Sequence, residues 1–236
     1  MRRLASILCV LLFVTSMRGQ SASDGSAAVV RLPSHGCSAT VIFTEKDRTY
    51  LLSCGHGFEG RDRDKPITVD LPASRVGRPR HVGITLVDVD YHADLSLIRL
   101  HTGPVEFVCP VAPHRHRPGT ALVSVGYDEM RLPAVRLPAR IVLQNRDITY
   151  TAERPWHGRS GGALIDTSGT RPCVIGVVSG YETDYRRRGI YVSHAAIVRF
   201  LDNFYEKGQG GASPQTYLMP RGFAPSLPID NCPIGH

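Results

Sequence analysis

Apolar and β-branched residues along this chain come in short runs bounded by Gly, Pro, Asp or Asn: Ala39–Phe43, Tyr50–Ser53, Ile67–Leu71, Gly83–Val89, Leu95–Leu100, Ala121–Gly126, Arg136–Gln144, Val174–Ser179 and Ile190–Ser193. Runs of this length with this punctuation predict strands. A single segment carries a helical period, with Ile197, Phe200, Leu201 and Phe204 at i, i+3, i+4 and i+7, Ser193 before it as a cap and Gly208 after it. The pattern is that of an all-β chain closed by one C-terminal helix. The Pro- and His-bearing stretch Ala112–Gly119 divides the strands into two groups and reads as a link between subdomains. Residues 207–236 are rich in Gly, Pro and Ser without periodicity and read as a flexible tail, in which Tyr217, Leu218 and Phe223 offer local docking points. There is no internal repeat of solenoid type.

Composition sharpens this picture. A chain of 236 residues, 42% hydrophobic, can bury one sizeable core or two small ones packed together, and 23 glycines with 17 prolines argue against long helices. The formal charge of +7 invites a nucleic-acid partner, but residues 1–22 hold Arg2, Arg3, Arg18 and no acid. Without them 25 basic residues face 21 acidic ones, a scattered +4 that makes no phosphate-binding surface, so no nucleic-acid partner is expected. Arg2 and Arg3 precede an apolar run from Leu4 to Val14, too short to span a bilayer, and small or polar residues follow through Ser21, Ala22 and Ser23. That arrangement predicts a secretory signal peptide over 1–22. Cys9 follows Ile7 and Leu8, too bulky for a lipoprotein cleavage site. No later run is long and apolar enough for a transmembrane helix, so the expectation is a secreted or periplasmic chain with no stable membrane insertion after cleavage. Five cysteines remain, Cys37, Cys54, Cys109, Cys173 and Cys232; disulfides persist in such a compartment, and the odd count leaves at least one unpaired within the chain.

Three segments carry candidate chemistry. Gly158-Arg159-Ser160-Gly161-Gly162 sets a serine among glycines that let the backbone turn sharply and aim the Gly158 and Ser160 amides at one spot beside the hydroxyl. A serine nucleophile needs a base to take its proton and preorganised donors for the oxyanion it creates. Alone, the motif is an ordinary glycine-rich turn. Leu51-Leu52-Ser53-Cys54-Gly55-His56-Gly57 places a histidine at the end of an apolar strand, and His92-Ala93-Asp94-Leu95-Ser96-Leu97-Ile98 places an aspartate just before another. Asp88 and Asp90 compete for the acid's role, but their alternation with apolar residues puts them on the exposed face of a strand. The joint occurrence of His56, Asp94 and Ser160, in that chain order, is far more specific than any member.

On these residues the chain resembles the trypsin-like serine peptidases of the chymotrypsin fold, nearer the compact bacterial secreted and HtrA-type forms than the animal digestive enzymes. The matching segments are Gly36–Ile42, Leu51–His56, Asp94–Leu100, Gly158–Leu164, Val174–Ser179 and Gly189–Val192, in order from about Val29 to Phe204. The resemblance implies two antiparallel six-stranded β-barrels with a C-terminal helix. Residues 23–113 would carry His56 and Asp94, and 114–206 would carry Ser160, with the active site between them. It implies that Ser160 attacks the scissile carbonyl, His56 shuttles the proton, Asp94 orients the imidazole, and the Gly158 and Ser160 amides form the oxyanion hole. The substrate would be a protein or peptide, and no metal or organic cofactor is needed. Arg154, His157, Ser179, Gly180 and Tyr181 would line the primary pocket.

The departures from the family are equally specific. Arg159 stands where zymogen-activated relatives carry an Asp that pairs with a freed N-terminus, so activation by that ion pair is not expected. Gly55 and Gly57 flank the His where bulkier residues are usual. Cys54 lies before His56, whereas animal relatives place the bridging Cys just after it; Cys37 and Cys54 sit on strands of one hairpin and could bridge, and Cys109 and Cys232 could tie the tail to the body. Arg154 stands six residues before Ser160, where a preference for Lys or Arg would call for an acid, so that preference is not supported, and Val178 stands where glutamyl endopeptidases carry a His. Glu182 and Asp184 share a solvated hairpin tip with Arg186, Arg187 and Arg188. Two other readings stand beside this one. A catalytically silent homologue would bind peptide or protein in the same cleft. An α/β-hydrolase esterase would read the same pentapeptide as a nucleophile elbow and draw on Asp184 and His194. A His set from His92, His101, His114 and His116 lacks a carboxylate or Cys to complete a metal site.

Overall fold

The computed structural model describes residues 25–207, apart from 45–47, 62–66, 72–79, 103, 115, 117, 118 and 185. The expected signal peptide, Cys9, Cys232 and the C-terminal tail lie outside the described residues.

The first half is a closed antiparallel barrel. Its strands are β1 (Val29–Leu32), β2 (Cys37–Thr44), β3 (Thr49–Ser53), β4 (Ile67–Leu71), β5 (Arg80–Asp90) and β6 (Leu95–Leu100), in the order β1-β2-β3-β6-β5-β4. β3 is buried throughout, because both its faces meet protein. Closure between β1 and β4 rests on one register pair, Arg31 opposite Asp70. Their side chains reinforce it: Arg31 Nε donates to Asp70 Oδ2 at 2.8 Å and Nη2 donates to the same oxygen.

The second half is a seven-stranded antiparallel sheet built from β7 (Leu122–Gly126), β8 (Val135–Ala139), β9 (Ile141–Gln144), β10 (Ile148–Thr151), β11 (Ala163–Asp166), β12 (Cys173–Tyr181) and β13 (Gly189–Ser193). The order is β8-β7-β11-β12-β13-β10-β9. The two edge strands, β8 and β9, are the single run expected over Arg136–Gln144, broken at Arg140. Its first part pairs with β7 and its second with β10, so the chain itself joins the sheet's edges at a corner. Counted as one bent strand they restore the expected six. Among the described residues, however, hydrogen-bonded closure is seen only in the first half.

The link between halves packs against both. Cys109 N donates to Val41 O, while Ala112 N and the Pro110 carbonyl pair with Val174. Helix α1 (His194–Glu206) is capped by Ser193, whose Oγ accepts from Ala196 N at 3.2 Å. Its apolar face, Ile197, Phe200, Leu201 and Phe204, is buried as the period requires. The ring of Phe204 meets Tyr50 of β3 edge-on, 6.3 Å between centroids, so the last element of the chain packs onto the first barrel. One apolar cluster runs through both halves, from Leu51 and Leu97 to Val125 and Val177. Among the described residues no helix is long and apolar enough to cross a membrane.

Cys37, Cys54, Cys109 and Cys173 are buried free thiols, so the Cys37–Cys54 bridge that the hairpin allowed is not formed. The two sulfurs approach the same point beside Gly57, where each fills space as a small apolar group.

Phe204 is fully buried. Phe204→Ala is therefore expected to lower the free energy of unfolding by about 3–5 kcal/mol in urea titration. Val142→Ala, on an exposed edge position, is expected to stay within about 0.5 kcal/mol of the parent.

Candidate active site

His56 opens the turn that follows β3, and Asp94 sits in the tight turn between β5 and β6. Because β3 and β6 are neighbours, with Ser53 opposite Ser96, the two turns emerge side by side. Gly55 is what allows their contact: a Cβ there would lie 3.1 Å from both the Asp90 carbonyl and the Leu95 amide. Asp94 adopts a left-handed backbone, φ 55°, uncommon for a residue with a side chain. Its carboxylate collects four donors. Oδ1 accepts from Gly55 N at 2.9 Å, His56 N at 2.8 Å and His56 Nδ1 at 2.9 Å, while Oδ2 accepts from the Ser179 hydroxyl on β12. Asp88 and Asp90 do other work: Asp90 caps the turn amides of His92 and Ala93, and Asp88 accepts from Val89 N.

The charges respond to this geometry. Burial works to raise the Asp94 pKa, but hydrogen bonds from His56 and Ser179 outweigh it and hold the carboxyl below its usual range. The hydrogen bond to Asp94, helped by the Cys54 sulfur, pushes His56 up to about 10. Cys54 moves up as well, through its hydrogen bond with Cys37 and its burial, and stays a thiol.

Ser160 comes from the second half, on the turn before β11. Gly158 and Gly161 take left-handed φ angles of 87° and 79° on either side of it. The turn is bonded inward: Arg159 N donates to Trp156 O, Gly161 N to Val178 O and Gly162 N to Arg159 O. The amides of Gly158 and Ser160 have no hydrogen-bond partner among the described residues. The carbonyls of the same turn are held by β2 of the other half: Ser38 N donates to Ser160 O at 2.7 Å and Ser38 Oγ to Gly158 O at 2.9 Å. His56 and Ser160 share an open cleft of about 580 Å³, whose walls also include His157, Val178, Gly180 and Tyr181. No hydrogen bond joins them here; Ser160 Oγ donates to the Ser179 carbonyl at 3.3 Å.

Of the pocket residues named from sequence, His157, Ser179, Gly180 and Tyr181 line this cleft. His157 Nε2 and Tyr181 Oη are 3.2 Å apart across it. Arg154 does not line it. Its guanidinium lies over the Tyr181 ring, 3.7 Å from the centroid, and backs the cleft wall instead. Arg188 grips Glu182 through two bonds at the hairpin tip, so this acid is held there as expected. The esterase pair is not at Ser160: Asp184 caps Arg186 N, and His194 is buried against the Ala112 carbonyl. Among the described residues no cluster of three or more His, Cys, Asp or Glu forms a metal site. Sequence reasoning missed Ser38 and the Asp94-binding role of Ser179, because short polar residues with distant partners leave no local signal.

The sequence matches no protein-family model and no curated protein. Solved structures do match. The protease Rv3671c from M. tuberculosis in its active form aligns with a TM-score of 0.59 at 21% identity, over 75% of this chain and 81% of that one. The serine endoprotease from Yersinia pestis gives 0.60 at 18%, over 78% of this chain and 64% of that one. The HtrA-type protease AlgW with a tripeptide gives 0.60 at 22%, over 78% and 62%. The chain thus spans less than two thirds of the last two. At these identities the likeness is one of fold, and the fold is the double β-barrel of the trypsin-like and HtrA-type serine proteases.

Followed by NMR, the His56 ring is expected to titrate well above the ordinary 6.5, towards about 10. Asp94→Asn removes the largest cause and is expected to bring the midpoint down by more than one pH unit. An unmoved midpoint would show that Asp94 is not the partner holding the ring.

Proposed function

We propose that the chain is an exported serine endopeptidase, with residues 1–22 removed on secretion and peptide or protein as its substrate. The observation that carries this reading is the meeting at one cleft of a carboxylate-bound imidazole, a serine hydroxyl and the Gly158–Ser160 turn, whose two amides have no partner among the described residues. The fold supports it, and AlgW, a protease of like fold, is known with a tripeptide.

In the proposed cycle the Ser160 hydroxyl leaves the Ser179 carbonyl and turns to His56 Nε2. Ser160 Oγ adds to the scissile carbonyl carbon as its proton passes to Nε2, and the carbonyl π electrons move to the oxygen. The Gly158 and Ser160 amides receive that oxyanion. Collapse re-forms the carbonyl and breaks the C–N bond, and the imidazolium gives its proton to the departing amine. Water then repeats the sequence on the acyl-enzyme, restoring Ser160 and releasing the acid. Asp94 stays ionised throughout and offsets the imidazolium charge. No step needs a metal or organic cofactor.

One observation favours a second reading. Because Ser160 is bonded to Ser179 O and not to His56, a silent homologue that holds peptide without cutting it fits the resting geometry.

A serine-reactive fluorophosphonate separates the two: the proposed peptidase is labelled at Ser160, and Ser160→Ala and His56→Ala abolish labelling, whereas a silent homologue binds peptides unlabelled. Asp94→Asn is expected to lower kcat by about 10⁴-fold while leaving the protein folded. The base is the neutral ring, so a raised His56 pKa moves the acid limb of kcat/KM upward, and the rate is expected to keep climbing above pH 7. A limb levelling off below pH 6.5 would oppose the proposed pairing.

A further inference from the structure

Arg159, between the Gly158 and Ser160 amides, is one of the largest fully buried side chains among the described residues. Its guanidinium forks onto Asp128, with Nε donating to Oδ1 at 2.8 Å and Nη2 to Oδ2 at 2.6 Å. The third nitrogen, Nη1, is buried without a partner, so the Asp128 carboxylate is the charge that keeps this cation in place. Gly126 makes room for the arm: a Cβ there would lie 2.4 Å from Arg159 Cγ.

Asp128 belongs to a short loop after β7 that is itself under tension. Glu129 and Met130 both take left-handed backbones, φ 48° and 59°, a conformation that persists only when surroundings impose it. Here the surroundings are ionic and polar. Arg159 holds Asp128, Glu129 N donates to His157 O at 2.6 Å, Trp156 Nε1 donates to Glu129 Oε1 at 3.2 Å, and Arg31 of the first barrel donates to Met130 O at 2.6 Å. The loop and the Trp156–Ser160 turn are thus laced together, with the Arg159–Asp128 pair as the one fully charged tie between them among the described residues. The peptide units bearing the Gly158 and Ser160 N–H groups lie on either side of this anchored segment.

We propose that Arg159 and Asp128 are positioning residues: their internal ion pair holds the Gly158–Ser160 turn with both amides turned to the cleft. The anchor is an ion pair between two residues of the folded second half. This inference rests on the serine-hydrolase reading above.

The test compares the purified protein with Asp128→Asn, Asp128→Glu and the exchange Asp128→Arg/Arg159→Asp. The readouts are fluorophosphonate labelling, kcat and KM on a fluorogenic peptide library, thermal melting, and amide hydrogen exchange over residues 157–161. Asp128→Asn is expected to cut kcat on the order of 10²-fold, the scale of a lost oxyanion donor. KM should move less than about threefold, and the hydrogen-bonded Arg159 and Gly161 amides of the turn should exchange faster. The exchange variant should regain at least tenfold over Asp128→Asn. If Asp128→Asn melts below the assay temperature, Asp128→Glu, which keeps the charge and shifts it by one methylene, is expected to show a smaller kcat loss at constant KM. An active parent whose folded Asp128 variants keep kcat within about threefold overturns the positioning role alone. An inert parent overturns the hydrolase reading and this inference with it.

Discussion

The site depends on the satisfaction of one carboxylate. Asp94 is largely buried, and burial alone would favour its neutral form. Four donors reverse that balance. Three come from the Gly55–His56 turn of the first barrel and the fourth, the Ser179 hydroxyl, from a strand of the second half. Satisfying this charge therefore fixes the imidazole tautomer, the orientation of its ring and the approach of the two halves together. A neutral residue at position 94 would leave these donors without a charged acceptor.

A second set of polar contacts aligns the nucleophile with that carboxylate. Ser38 of β2 binds the carbonyls of Gly158 and Ser160, its hydroxyl accepts from Tyr127 N, and its own carbonyl is held by Ser53 Oγ. Tied to both sides, this serine transmits the position of the first barrel to the turn that carries Ser160. The contacts sit beside a continuous apolar core, where satisfied polar networks add direction that packing alone lacks. The base and the nucleophile come from separate sheets, yet each is referenced to the other through short side chains.

The parts of this arrangement that were legible in the sequence are those with a local signature. Strands of five or more β-branched or apolar residues, the capped helix after Ser193, and the glycine-flanked Ser160 all announce themselves within a few positions. The strands Val29–Leu32 and Ile148–Thr151 were not read, although the equally short runs Tyr50–Ser53 and Ile190–Ser193 were. The run over Arg136–Gln144 looks uniform, but its two parts serve opposite edges of a sheet, a division set by tertiary closure. Asp94 could be preferred to Asp88 and Asp90 from its context. That Ser179 binds it, from 85 positions away, could not. The free state of Cys37 and Cys54 was likewise undetermined: hairpin neighbours can bridge, and only the side-chain placement shows that these do not.

The corner at Arg140 bears on how copies of this molecule meet one another. Open strand edges invite self-association, because their unpaired amides and carbonyls accept another strand. β8 and β9 are such edges, and β9 exposes Val142 and Leu143. Yet the two edges are consecutive lengths of a single bent strand, β8 carries Pro138 with no N–H to offer, and arginines stand at 136 and 140. An incoming strand would find a missing donor and positive charge at the place where it must dock, a guard against aggregation built into the same bend that completes the second barrel.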